Sequence, residues 1–534
     1  MTDTLPSETR TDVPWWRDAV CYQIYPRSFA DSTGDGVGDL PGITSRLPYL
    51  AELGVDAVWL SPFYTSPQAD HGYDVADYRD VDPMFGTLAD ADEMLATAHG
   101  LGLKVIVDLV PNHSSAAHVW FQAALAAAPG SPERARYIFR EGKGEDGSQP
   151  PNNWRSQFGG PAWTRVPDGQ WYLHIFEQDQ PDFDWDNPEV GDEFESVLRF
   201  WLDRGADGFR VDVAHGMVKA DGLPDAAGDA EEPAEGGEMV SHHERPYWDQ
   251  PGVHEIYRRW RRVLDEYDGD RMMIGEAWTA DAESMAMYVR PDEMQQVFNF
   301  HWLEAEWSAA AFRQVVEDTY AAVGPVGATP TWVLSNHDVT RTVTRYGGGT
   351  VGLERAKAAT LAMLAMPGSA YIWQGEELGL PQVDVAPEDR QDPMYLRGGG
   401  VGRDGCRIPV PWSGTQAPFG FGPGEGQPWL PMPAEFGALS VEAQADDPAS
   451  TLSFFRAALA VRHDLVDGLD GGLRFLDRGD DVLAFARDGE PGLVCVVNCG
   501  DAPVDVADLG APLVSSVPLD GTSLPGNAGA WFAA

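Results

Sequence analysis

Short apolar runs recur along the chain, and the stretches between them repeat apolar positions three and four residues apart. The runs cover 19–29, 55–62, 103–110, 208–213, 271–278, 295–300, 331–338 and 370–374; the helical repeats cover 41–53, 89–101, 193–204, 247–265, 354–365 and 449–462. The runs are apolar throughout rather than alternating, which predicts strands of a parallel sheet covered by helices on its faces. Strands alternating with helices in this way predict an α/β fold, a (β/α)8 TIM barrel. The rhythm breaks twice. Residues 113–185 are rich in Trp, Gly, Pro and Asn, with β-like pieces such as 170–176, and read as a domain inserted after the third strand. From about 467 onward, short strands between Gly and Asp read as a C-terminal antiparallel β domain. The predicted division is 1–112 and 186–465 for the barrel, 113–185 for the insertion and 466–534 for the last domain. The Gly/Asp/Glu-rich stretch 220–237 reads as a mobile surface loop.

Polar residues at the ends of apolar runs change this picture. In Gly208-Phe209-Arg210-Val211-Asp212, an Arg and an Asp two apart share one face of a strand. Alone they fit a buried ion pair as well as a site. However, His113, Arg210, Asp212, Glu276, His337 and Asp338 all stand at or just after predicted strand ends. In a barrel those ends open onto one face, so residues far apart in sequence converge on one pocket.

Composition narrows the partners. With 84 acidic against 37 basic residues, the net charge is −47. Such a surface repels nucleic acid and anionic membranes and suits a neutral or cationic small substrate. Four cysteines in 534 residues exclude a disulfide scaffold and fit a reduced cytoplasm. The polar N-terminus predicts no signal peptide, and no run is long enough to predict a membrane span. The segment from Asp31 to Asp39 spaces acidic residues by Gly-rich turns, like a calcium loop, although it lacks the terminal Glu of an EF-hand.

The motifs Asp108-Leu-Val-Pro-Asn112-His113, Gly208-Phe-Arg210-Val-Asp212, Gly275-Glu276-Ala-Trp278 and Asn336-His337-Asp338, in this order, resemble those of the α-amylase superfamily. The branch they resemble is that of the α-glucosidases and oligo-1,6-glucosidases in glycoside hydrolase family thirteen. The likeness runs over nearly the whole chain. It implies Asp212 as nucleophile, Glu276 as general acid/base and Asp338 as the carboxylate that grips the sugar hydroxyls. Arg210 would keep Asp212 ionised, and Asp212 and Asp338 would keep a proton on Glu276. His113 and His337 would bind the sugar, Asp70 and Tyr73 would close the pocket, and Phe176 and Gln180 would line it. Arg403 matches a pocket arginine, with Arg407 the competing choice. The resemblance also implies a structural Ca2+ on Asp31, Thr33, Asp35, Val37 and Asp39, with Thr33 where relatives often carry Asn.

The activity so implied is that of a retaining exo-α-glucosidase on a small oligosaccharide or disaccharide, in a monomer or homodimer. An oligo-1,6-glucosidase, a transglucosylase or a sucrose isomerase would share the intermediate. Val213, just after the nucleophile, points to α-1,6 linkages, whereas the following Ala214-His215-Gly216 is closer to maltose-type enzymes. A non-catalytic relative, such as a transporter subunit ectodomain, would have lost these carboxylates.

Overall fold

The computed structural model describes residues 13–227, 245–398, 400–424, 426–466, 469 and 472–534. The N-terminal reading of residues 1–12 and most of the loop expected at 220–237 lie outside them.

The barrel strands are β1 (Val20–Ile24), β2 (Ala57–Leu60), β3 (Lys104–Leu109), β4 (Gly208–Val211), β5 (Met272–Gly275), β6 (Gln296–Val297), β7 (Thr331–Val333) and β8 (Ser369–Trp373). They form one sheet in the order β6-β5-β4-β3-β2-β1-β8-β7, every pair parallel. The ladder stops between β6 and β7, where the Asn299 N–H donates to the Thr331 carbonyl at 3.3 Å and closes the ring. Strands are shorter than the apolar runs suggest: the runs 295–300 and 331–338 shrink to two and three strand residues. At the barrel rim the backbone leaves the ladder, and His337 and Asp338 there face the pocket.

Local chemistry sets the helices. In α1 (Leu40–Leu53), Asp39 caps the first turn by accepting from the Gly42 N–H, and Gly54 (φ 94°) ends the helix. In α2 (Leu88–Gly100), Thr87 and Asp90 form a reciprocal capping box. In α3 (Pro188–Arg204), Asn187 caps, Pro188 opens and Gly205 (φ 108°) stops the helix just before β4. The next long helices are α4 (Val253–Leu264), α5 (Ala309–Val323) and α6 (Gly349–Ala365), with shorter ones between them, and α7 (Thr451–Val461) follows the barrel. Helix α4 starts later than the expected 247, because Trp248 and a left-handed Asp249 (φ 53°) belong to the loop before it. Helix α5 is not marked by the sequence reading.

Two apolar layers hold the barrel. Trp59, Ile106, Met272, Ile274, Phe298, Val333 and Tyr371 fill its interior, so it is a packed core rather than a pore. A larger cluster lies between strands and helices. Between β3 and α3, the strands Phe139–Glu141, Gln170–Leu173 and Trp163–Arg165 form a small antiparallel sheet. Its cluster draws in Val213, Tyr247 and Trp248 from the loop after β4. At the C-terminus a five-stranded antiparallel sheet leans on α6: Trp531 Nε1 donates to the Leu361 carbonyl at 3.0 Å, and Gly529 lies against Ala358, where a Cβ would come within 3.2 Å.

Candidate active site

Strand β4 runs from the bottom of the barrel to its mouth, and Arg210 sits one residue before its end. The Arg210 guanidinium is buried among three carboxylates. Nη1 lies 2.9 Å from Asp108 Oδ1 and 2.6 Å from Asp212 Oδ1, and Nη2 lies 2.7 Å from Glu276 Oε2. Its face rests on Trp59, 5.1 Å from the ring centre. Asp108 comes from the end of β3, Asp212 from just beyond β4 and Glu276 from just beyond β5, so three adjacent strands deliver the cluster.

One guanidinium cannot neutralise three carboxylates. Burial pushes Asp212 well above the usual carboxylate range; Arg210 pulls it down, but Glu276 and Asp108 push it up again, and the net direction is upward. Burial likewise raises Asp108, to about 7, against the pull of Arg210. Arg210 draws Asp212 toward its ionised form as expected of it, but the arginine is shared with Asp108 and Glu276. A cluster of this kind retains a proton that belongs to the group rather than to one oxygen.

The third carboxylate stands in the opposite environment. Asp338 Oδ1 receives Arg403 Nη1 at 3.0 Å and Arg407 Nη2 at 2.8 Å. Burial opposes its charge, yet His337, Arg403 and Arg407 outweigh burial and hold it well below the usual range. The two guanidiniums carry this effect, since burial keeps His337 itself far below its ordinary pKa and neutral. Gln23 Nε2 donates to His337 Nδ1 at 2.7 Å, which leaves the Nε2–H to face the Tyr73 hydroxyl at 2.7 Å.

Arg403 also reaches Asp70, Nη2 to Oδ1 at 2.9 Å, and Asp392, Nε to Oδ2 at 2.7 Å. Burial raises Asp70 to about 6 despite Arg403 and Arg407. Asp70, Tyr73, His113, Phe176, Asp212, Val213, Glu276, His337, Asp338 and Arg403 surround one pocket of about 340 Å³. Phe158 completes its wall, with the Arg403 guanidinium 5.2 Å over its ring. Among the expected residues, Gln180 and Arg210 do not face the space. Gln180 is fully buried and lies behind, its Nε2 3.2 Å from Asp70 Oδ2 and 3.1 Å from His113 Nε2. Arg407 lies beneath Asp338 rather than in the wall. Burial lowers His113 to about 3, so it meets a ligand as a neutral ring.

Val213 has a left-handed backbone (φ 46°), unusual for a β-branched residue and costing about 1–3 kcal/mol. The turn aims its N–H at Glu276 Oε2, 3.0 Å away. Glu276 Oε1 accepts from Trp278 Nε1 at 3.1 Å. Behind Val213, His215 stacks on Trp248 at 4.5 Å between centroids. Gly216 permits this packing, because a Cβ there would lie 2.6 Å from both the Trp248 ring and the Val213 side chain.

Three buried residues are not singled out by the sequence reading. Phe158 lines the pocket, and Asp108 lies behind it on Arg210; only Asp108 has a signal, a charge inside an apolar strand. Lys219 is the third. Its side chain is 3% exposed, and its ammonium lies 2.8 Å from Asp182 Oδ2 and 2.8 Å from Asn112 Oδ1 and donates to the Gly216 carbonyl. It joins the insertion to the ends of β3 and β4.

The loop from Asp31 to Asp39 lies outside the pocket lining. Asp31 Oδ1 accepts from the Thr33 and Gly34 N–H groups at 2.9 and 2.6 Å, and Oδ2 from Gly36 at 2.9 Å. Asp39 accepts from Ser32 and Gly42, and Asp35 from the Val37 N–H. The donors are hard oxygens of the kind Ca2+ takes. Among the described residues, however, no group of three acidic, His or Cys side chains is gathered for a metal, so these carboxylates would have to turn inward to hold one.

Residues 23–468 match the family described as alpha amylase, catalytic domain. A probable alpha-glucosidase of Rhizobium meliloti (strain 1021) is 38% identical over 98% of this chain and 95% of its own. An oligo-1,6-glucosidase of Parageobacillus thermoglucosidasius is 37% identical over 85% of this chain and 84% of its own. Among solved structures, the alpha-glucosyl transfer enzyme XgtA superposes with a TM-score of 0.89 at 40% identity, over 98% of this chain and all of that one.

Proposed function

Because the chain belongs to the α-amylase family of glycoside hydrolases, we propose that it is a retaining exo-acting α-glucosidase, releasing α-glucose from the non-reducing end of maltose and short α-gluco-oligosaccharides. One observation carries this reading: Asp212, Glu276 and Asp338 meet in a single small pocket that the Asp70–Arg403–Asp338 bridge closes.

In this mechanism Asp212 attacks the anomeric carbon while Glu276 protonates the departing glycosidic oxygen. Water then adds to the covalent glucosyl ester, and Glu276 takes back its proton. Asp212 and Glu276 are held side by side on the two terminal nitrogens of Arg210, at 2.6 and 2.7 Å, a close pairing that supports retention, since an inverting pair stands farther apart to hold a water between them. Asp338, held charged by Arg403 and Arg407, accepts from sugar hydroxyls and faces the positive charge that grows at the anomeric centre. The acidic surface disfavours anionic sugars.

Val213 supports a second reading. It lines the pocket beside the acid/base at the linkage, where a branched apolar residue suits α-1,6 bonds, and one relative bears the name oligo-1,6-glucosidase. The solved structure named as a glucosyl transfer enzyme supports transfer from the same intermediate. We further propose that the loop from Asp31 to Asp39 takes a structural Ca2+. The four described cysteines are free, which suits the cytoplasm; a monomer or homodimer is to be told apart by sedimentation.

The test is hydrolysis of maltose, isomaltose, sucrose, trehalose and p-nitrophenyl α-glucoside by wild type and Asp212→Asn. Glucose from maltose, with a loss of at least about 10³-fold in the variant, is expected. An Asp212→Asn enzyme with most of its activity would overturn the nucleophile, and isomaltose as the preferred substrate would favour the second reading.

A further inference from the structure

Asp70 reaches the pocket from a loop that the sequence does not make easy to build. Its neighbours Gln68 (φ 68°) and His71 (φ 49°) both hold left-handed backbone without being glycine. Such conformations persist only where the surroundings over-determine them. Here each strained residue is gripped from outside the pocket. Arg27 Nη2 donates to Gln68 Oε1 at 2.8 Å. The His71 ring meets Trp429 edge-on, 5.3 Å between centroids, and its Nδ1 lies 3.3 Å from Arg407 Nη1. A guanidinium can only donate, so His71 Nδ1 accepts and the ring proton sits on Nε2. The same Arg407 donates to Asp338 at 2.8 Å.

Trp429 gathers these contacts. Arg27 lies 5.0 Å over its ring, its Nε1 donates to Ser28 Oγ at 2.9 Å, and its backbone N–H donates to the Gly36 carbonyl at 2.9 Å. Gly36 belongs to the acidic loop from Asp31 to Asp39. A continuous set of contacts therefore runs from that loop through Trp429 and His71 to the carboxylates at both ends of Arg403. None of Arg27, His71 and Trp429 lines the pocket.

We propose that His71 and Trp429 are positioning residues: together they hold the strained loop that presents Asp70, and they tie the acidic loop at 31–39 to the glucose-binding end of the pocket. This rests on the glucosidase reading above. Neither residue touches the sugar, so their work is in binding rather than in bond cleavage.

The experiment combines steady-state kinetics on p-nitrophenyl α-glucoside with calorimetric titration of D-glucose, using the full chain and its His71→Ala, His71→Asn, Trp429→Leu and Trp429→Phe variants. For His71→Ala and Trp429→Leu, KM and the glucose Kd should both rise about tenfold while kcat stays within about threefold. His71→Asn tolerates left-handed backbone and can accept from Arg407, so it should recover most of the affinity. Trp429→Phe keeps the ring edge and should fall between wild type and Trp429→Leu. Unchanged KM and Kd in His71→Ala beside an active wild type overturn the positioning role and leave the functional reading standing. So does a fall in kcat alone. A wild type that neither cleaves the glucoside nor binds glucose overturns the functional reading and the positioning role together. Should Trp429→Leu not fold, the two His71 variants and Trp429→Phe decide the matter alone.

Discussion

Asp70 is a carboxylate under opposed influences: burial raises its proton affinity, and Arg403 and Arg407 lower it, leaving a pKa of about 6. Its unfolded counterpart titrates near 3.9. Between those values the folded chain holds a proton that the unfolded chain has lost. Asp70's contribution therefore favours folding at low pH and fades as pH rises through about 6. On the proposed reading, sugar binding needs the opposite state, the charged carboxylate paired with Arg403. Activity at limiting substrate should accordingly climb over the window in which this contribution to stability declines. A pH profile of kcat/KM with its acid limb near 6 is expected, moved or removed in Asp70→Asn; a limb centred below about pH 5 would exclude Asp70 as its source. At this scale the sequence was readable where charge contradicted its surroundings. Arg210 and Asp212 stood out for that reason, and Asp108 could have been singled out on the same ground. Phe158 could not, because an aromatic in an irregular insertion looks like any core residue. The backbone of Val213 was equally hidden, since nothing in a valine announces a left-handed turn.

Strand β4 shows how one element serves two ends. At its start Asp207 takes Lys104 at 3.1 Å, Arg271 at 2.7 Å and His99 at 2.8 Å, a cluster that clamps the barrel bottom. At its far end Asp212 faces the pocket, with Arg210 behind it. The apolar stretch between them made the strand legible, whereas its limits depended on where the barrel ladder ends. Helix α5 is unmarked in the sequence reading although Phe312, Val316, Thr319 and Val323 recur at helical spacing along its buried face. For the loop from Asp31 to Asp39, the proposed Ca2+ leads to a definite expectation. Chelator-treated protein should take up about one Ca2+ in calorimetry, with a rise in Tm, because binding to the folded state alone stabilises it. No heat and an unchanged Tm would show that the loop's own N–H and hydroxyl groups, which already serve Asp31 and Asp39, take the place of a metal.

The whole molecule carries 84 acidic and 37 basic residues. Local pairs such as Arg204–Asp92 and Arg199–Glu266 consume few of the acids, so the surface repels itself. Raising NaCl toward about 1 M shortens the screening length to about 3 Å and should raise Tm steadily; a flat or falling Tm would show that the surplus charge does not strain the fold. The barrel was legible at this scale because alternation of strand and helix is written in the order of the chain. Its seam was not: β6 and β7 close through Asn299 and Thr331, a contact that depends on how the ring tightens rather than on either segment.

Lys219 gives the junction between barrel and insertion an unusual kind of permanence. A positive charge among the oxygens of Asp182, Asn112 and Gly216 could have been borrowed from solution, and would then come and go with supply. Here it is tethered to the backbone that it organises. It cannot be chelated, diluted or exchanged for a larger ion, and it arrives with the chain during synthesis. The junction is in this respect self-sufficient, whatever the acidic loop at 31–39 requires.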